Sequence, residues 1–216
     1  MTMETIAVTG GIGSGKSLVC RYLRDSGIPV YDSDSRTKAL YASDVRLREA
    51  IRSAMSGFCG GNAGCLVLSD GYLDLKALAN LVFSRKEALE ALEAVVHPAV
   101  LEDFIRWRSS SGVIEAAAYG VVAIESAIIL EKPLFRGIAD KVILVDASLD
   151  VRVRRVMLRD GANISEVEDR IRNQRIFYEI SAGRLKPEAD YVIENNGAPE
   201  ELRRKVDEFI DSNYRK

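Results

Sequence analysis

The 216-residue chain holds a single histidine and three cysteines, Cys20, Cys59 and Cys65, at unrelated spacing. So few ligands exclude a Cys/His zinc site, and an odd number of cysteines argues against a disulfide framework. Free thiols in a reducing cytosol are the expectation. Net charge is only −2, which leaves no basic footprint for nucleic acid. No apolar run reaches the ~18 residues of a membrane span, and the chain opens on a strand-like run rather than a signal peptide. Internal repeats, low-complexity tails and an N-K-x-D guanine-reading sequence are absent as well. What remains is a 47% apolar globular chain, expected in the cytoplasm as one large domain or a core with insertions.

The strongest feature present is Thr9-Gly10-Gly11-Ile12-Gly13-Ser14-Gly15-Lys16-Ser17. It fits G-x-x-x-x-G-K-[ST], with Gly10, Gly15, Lys16 and Ser17 at the fixed positions. Residues 5–8 are β-prone and residues 18–23 read as a helix, so the loop sits between strand and helix. Glycines let the backbone turn back so that successive N–H groups face phosphate oxygens, and the helix adds the positive end of its dipole. The motif therefore points to a nucleoside triphosphate, with Gly11, Ile12, Gly13, Ser14, Gly15, Lys16, Ser17 and Leu18 as the binding residues. Lys16 reaches the β- and γ-phosphates and the Ser17 hydroxyl is a ligand for Mg²⁺. A coincidental glycine-rich turn would match the four fixed positions in roughly one such chain in a hundred.

A second strand over residues 28–31 runs into Asp32-Ser33-Asp34, at the carboxyl edge where open parallel sheets bind ligands. Read as an extended segment, D-x-D puts both carboxylates on one side of the chain, ~6–7 Å apart. Ser33 or Asp34 also suits the cap of a helix over residues 36–41. Residues 35–116 then show helical spacing and no central strand, far more than a crossover needs. Helices are expected over 45–55, 75–96 and 99–108, with a loose glycine-rich loop at 57–64. His97-Pro98 reads as a helix end before proline, with His97 either bonding backbone carbonyls or touching substrate. Continuous apolar runs ending in an acid at 121–125 and 141–146 are the third and fourth parallel strands, buried in pattern, and 189–193 is a fifth strand stopped by Asn195-Asn196-Gly197. Residues 150–175 form helix, Gly161 and helix with clustered arginines. That pattern fits a solvated face, since acids are interleaved, or a phosphate-closing lid. Leu202, Val206, Phe209 and Ile210 share one face of a final helix.

In order along the chain, these residues resemble the motifs of the dephospho-CoA kinase family. Residues 9–17 are similar to its T-G-G-I-G-S-G-K-[ST], and Val30-Tyr31-Asp32-Ser33-Asp34 to its V-x-D-A-D. Leu92-Glu93 with His97-Pro98 resembles L-E-x-x-x-H-P. Arg155 to Gly161, with Arg170 and Gln174, looks like its lid segment R-L-x-x-R-D-G…R…Q. Lys186, Ala189-Asp190-Tyr191-Val192-Ile193 and Asn195 match K-x-x-A-D-x-V-I-x-N. Departures fall at Leu18, Ser33, Leu75, Ala127 and Arg152, where the family often has a hydroxyl, Ala, Arg, Pro and Gln.

The resemblance implies an α/β P-loop kinase core with a five-stranded parallel sheet flanked by helices. Its expected parts are residues 1–34, 117–149 and 176–216 for the core, 35–116 for an inserted helical substrate domain and 150–175 for a helical lid. It implies ATP-dependent phosphorylation of the ribose 3′-hydroxyl of dephospho-CoA, with Mg²⁺, by a monomer or weak homo-oligomer. Asp34 is the expected acceptor of the hydroxyl proton, with Asp32 beside it, and Ser17 and Asp34 are the metal-ligand candidates. Thr9, Asp32, Asp34 and His97 are expected at the acceptor substrate. Arg159 is expected to meet the transferring phosphoryl group, with Arg155 and Arg170 as weaker candidates. A nucleoside or nucleotide kinase shares this architecture and differs in the acceptor. A regulatory ATP-binding module would carry the loop without transfer chemistry.

Overall fold

The computed structural model describes residues 3–60, 66–68, 71–181, 183–186 and 188–215. Five parallel strands, β1 (Glu4–Thr9), β2 (Val30–Asp32), β3 (Val121–Glu125), β4 (Lys141–Asp146) and β5 (Tyr191–Glu194), form one sheet in the order β2-β3-β1-β4-β5. The central strand β1 pairs Ile6 with Ala123 on one side and with Lys141 on the other. Its buried run Thr5 to Thr9 is typical of a parallel strand covered on both faces.

One face packs on α1 (Lys16–Asp25) and α11 (Pro199–Asn213). Val19, Cys20 and Leu23 meet Leu202, Val206 and Ile210 over Ile6, Val8, Ala123 and Ile143 in a single cluster. At roughly 1.5–3 kcal/mol per fully buried aliphatic side chain, this cluster is a main source of stability. Helix α1 stops at Ser26, and Gly27 takes φ +82, the left-handed conformation that glycine adopts without a Cβ penalty.

By its contacts the chain divides into two compact units, Met1–Asp32 with Arg108–Lys216, and Ser33–Trp107. The first holds the sheet, α1, α6 (Ser111–Ala116), α7 (Pro133–Arg136), α8 (Leu149–Asp160), α9 (Ile164–Asn173), α10 (Arg175–Ser181) and α11. The residues expected as a lid thus group with the sheet, and so does α6, which lies inside the expected insertion.

The second unit contains α2 (Ser33–Ser43), α3 (Val45–Met55), a 3-10 turn at Ser56–Cys59, α4 (Leu75–Ser84) and α5 (Lys86–Arg108). Asp44 and Asp74 cap α3 and α4 by accepting backbone N–H groups of the first turn. Three expectations are corrected here. The helix expected over 75–96 breaks at Arg85, which is extended. The helix does not end at His97: α5 runs through Pro98, because Leu92, Val96, Val100 and Phe104 continue one buried stripe across it. That burial outweighs the roughly 3 kcal/mol an interior proline costs. Finally, Cys59 is disulfide-bonded rather than free, whereas Cys20 is a buried free thiol. Cys65 and the expected loop at 61–64 lie outside the described residues.

Candidate active site

The phosphate loop leaves the central strand and enters α1 at the carboxyl edge of the sheet. Gly10, Gly13 and Gly15 have φ of 148°, 79° and 103°. A Cβ at Gly10 would strike the Val145 carbonyl, and one at Gly15 the Asn195 side chain. These glycines are therefore required by conformation and by space. Helix α1 begins at Lys16, with Leu18 and Val19 donating to the Gly15 carbonyl, so the positive end of its dipole faces the loop and favours an anion there. The Lys16 ammonium donates to the Gly10 carbonyl at 2.7 Å, folded back over the loop.

The outer side of the loop is braced by long-range contacts. Asn195 donates from Nδ2 to the Ser14 carbonyl at 2.7 Å. The Arg155 guanidinium reaches the Gly13 and Ser14 carbonyls at 3.5 and 3.4 Å and Asn195 Oδ1 at 3.3 Å. Arg152, fully buried, donates from Nε to the Ile12 carbonyl at 2.9 Å, and its guanidinium lies where a Cβ on Gly11 would go. Burial lowers the Arg152 pKa, partly offset by Asp146; a guanidinium stays charged regardless. Arg155 thus contacts both the loop carbonyls and Asn195.

Acids line the edge beside the loop. Ser17 donates its hydroxyl to Glu125 Oε1 at 2.8 Å, and Glu125 pairs in register with Asp32 of β2. The Cys20 thiol is pushed well up by burial and by Glu125, so it stays protonated and inert. Glu125 received no role from the sequence, although an apolar run ending in an acid was a usable signal. Hydroxyl plus carboxylates is a donor set suited to a hard divalent cation such as Mg²⁺.

Asp34 is exposed in the first turn of α2, because β2 ends at Asp32 and the helix begins at Ser33. The expectation of an extended D-x-D with parallel carboxylates is therefore corrected. The helix wins because Asp34 suits its positive end and the Thr37 hydroxyl donates to the Ser33 carbonyl at 2.7 Å. Within the same unit, Arg36 forms a two-bond fork with Asp103 of α5, at 2.8 and 2.9 Å. His97 is half-buried on α5. Thr9 is fully buried at the end of β1.

Arg159, at the end of α8, is exposed and paired with Asp160 at 2.7 Å; Arg170 of α9 joins the same carboxylate at 2.9 Å. The hydrogen bond from Arg159 holds the Asp160 carboxyl below its ordinary value. Two guanidinium groups on one acid give a compact cationic cluster, able to receive phosphate oxygens.

The family model for dephospho-CoA kinase matches residues 4–201. The chain belongs to the dephospho-CoA kinase family. A dephospho-CoA kinase from Porphyromonas gingivalis is 38% identical over 89% of this chain and 86% of its own length. One from Geobacter sulfurreducens is 36% identical over 96% and 97%. Among solved structures, TT1252 from Thermus thermophilus is 35% identical with TM-score 0.73, covering 99% of each chain. The dephospho-CoA kinase from Campylobacter jejuni, at 22% identity and TM-score 0.63 over 96% of each, shares the fold. Membership makes the chain a kinase, and the parallel sheet flanked by helices is the P-loop kinase architecture.

Proposed function

We infer that this chain transfers the γ-phosphoryl group of ATP to the ribose 3′-hydroxyl of dephospho-CoA, giving coenzyme A and ADP in the last step of coenzyme A biosynthesis. The observation that carries this reading is the phosphate loop opening α1 beside two acid-ended strands, in a chain of this family. Phosphoryl transfer asks a protein for positioning and charge neutralisation more than for covalent chemistry.

In this proposal the loop amides and Lys16 hold the β- and γ-phosphates, with Lys16 leaving the Gly10 carbonyl to do so. Ser17 with Glu125 and Asp32 would hold Mg²⁺, Asp34 being a further candidate ligand. When bound, the ion neutralises charge between the phosphates. Asp34 accepts the proton of the 3′-hydroxyl. Such a base does not need a raised pKa where proton removal follows a loose transition state. Arg159, with Arg170 beside it, leaves Asp160 to meet the charge on the transferring group. Residues 33–107 bind the acceptor, and the protein works in the cytoplasm as a monomer or weak homo-oligomer.

Incubation with ATP, Mg²⁺ and dephospho-CoA, followed by mass detection of coenzyme A, tests the reading. Product appearing with dephospho-CoA, and not with nucleosides, nucleoside monophosphates or shikimate, is the expected outcome. Hydrolysis indifferent to every acceptor would overturn it.

A further inference from the structure

Ile12, at the apex of the phosphate loop, is held at every group it possesses. Its side chain packs against Val156, Val167 and Ile171, the hydrophobic cluster that joins α8 to α9. Its N–H donates to Gln174 Oε1 at 2.6 Å, at the junction of α9 and α10. Its carbonyl accepts from Arg152 Nε on α8. The next residue leaves no slack: a Cβ on Gly13 would lie 2.6 Å from the Arg152 carbonyl oxygen and 3.0 Å from a Val156 methyl. Because a backbone N–H needs an acceptor, the Gln174 carboxamide can be oriented only with its oxygen toward the loop.

A loop residue owned this fully by neighbouring helices cannot shift when phosphates fill the loop without moving them too, since packed interiors transmit strain rather than absorb it. Arg159 lies four residues beyond Arg155 on α8, one turn further along the same helix face. Any displacement passed from the loop into α8 therefore reaches the Arg159–Asp160–Arg170 cluster.

We propose that Ile12 and Gln174 are positioning residues that couple occupancy of the phosphate loop to the arrangement of α8, α9 and α10. They act through the loop backbone and the helix core, and neither supplies a charge to the reaction. The proposal rests on the reading of the loop as a nucleotide site.

Hydrogen exchange of peptides covering residues 149–178, with and without ADP and Mg²⁺, tests it, alongside calorimetry of ADP binding. In the wild type, bound ADP should slow exchange in these peptides at least fivefold. Ile12→Ala should still bind ADP within about tenfold of wild type, yet lose most of that protection. Ile12→Val, which keeps a branched apolar side chain, should regain most of it. Gln174→Ala keeps the apolar packing and should lose protection in part, so the proposal stays testable even where Ile12→Ala folds poorly. In turnover, both alanine variants should lower kcat about tenfold with a smaller change in KM for ATP. Wild-type protection retained in full by Ile12→Ala and Gln174→Ala would overturn the coupling, as would ADP binding to the wild type that leaves exchange unchanged. Wild-type protein that binds no ADP would instead overturn the nucleotide reading beneath it.

Discussion

Lys16 sits folded onto the Gly10 carbonyl, so its charge is already at the mouth of the loop before a triphosphate arrives. Lys16→Ala should lower kcat on the order of 10²-fold or more while thermal unfolding stays near wild type, because α1 does not depend on this side chain. The two aspartates separate by role. Asp34→Asn should abolish most transfer to dephospho-CoA while ATP binding, followed by calorimetry, persists. Asp32→Asn should recover part of its activity as Mg²⁺ is raised; near-normal turnover in Asp34→Asn beside a dead Asp32→Asn would reverse the assignment. The loop residues could be read from the sequence because their geometry is local, fixed within nine consecutive positions. Glu125 could not be tied to Ser17 in the same way, since the pair is separated by 108 residues and exists only through strand register. The extended reading of Asp34 failed because a cap and an active-site acid use the same residue type.

At the level of elements, α8 and α9 meet across Gly161, which caps α8 at φ +64 with nothing within 4 Å of a would-be Cβ. Gly161→Ala should therefore cost only backbone strain, about 1–2 kcal/mol, read as a lower unfolding midpoint. Arg159→Ala concerns the same joint. If Arg159 meets charge only in the transition state, kcat should fall while KM for ATP holds. A raised KM with unchanged kcat would make it a ground-state anchor instead. Buried parallel strands were legible as apolar runs ending in acids, and α11 as one apolar stripe. Helix α5 was not, because the rule that helices stop before proline is local, whereas the stripe that carries α5 past Pro98 is tertiary. Nor did anything in the apolar spacing mark the break at Arg85.

The molecule as a whole ties β1, β4 and α11 together in one polar cluster. Glu4 lies 2.9 Å from the Lys141 ammonium and accepts from the Tyr214 hydroxyl at 2.7 Å. Burial raises the Glu4 pKa, but the bonds from Lys141 and Tyr214 outweigh it, and the folded value lies below the ordinary one. A depressed carboxylate stabilises the fold above its unfolded pKa, and that contribution fades as pH falls through the folded value. Unfolding midpoints measured from pH 7 down to pH 3 should therefore decline on the acid side, and Glu4→Gln should flatten the decline. Tyr214 moves the other way: burial, and then Glu4, favour its neutral form. Its contribution is complete below the unfolded value of about 10 and is lost as pH climbs above it.

The strand order also sets a timetable. Glu4 pairs with Val121 and Ile6 with Lys141, so β1 and its loop emerge from the ribosome long before either neighbour exists. At roughly 5–20 residues per second, the delay is on the order of ten seconds. Residues 33–107 are contiguous and can close their own contacts during that wait, whereas the sheet must be assembled from both flanks afterwards. Throughout the interval an apolar strand with open edges is exposed, a template for pairing with other nascent chains. The hazard in making this protein therefore belongs to the strand that later carries its chemistry.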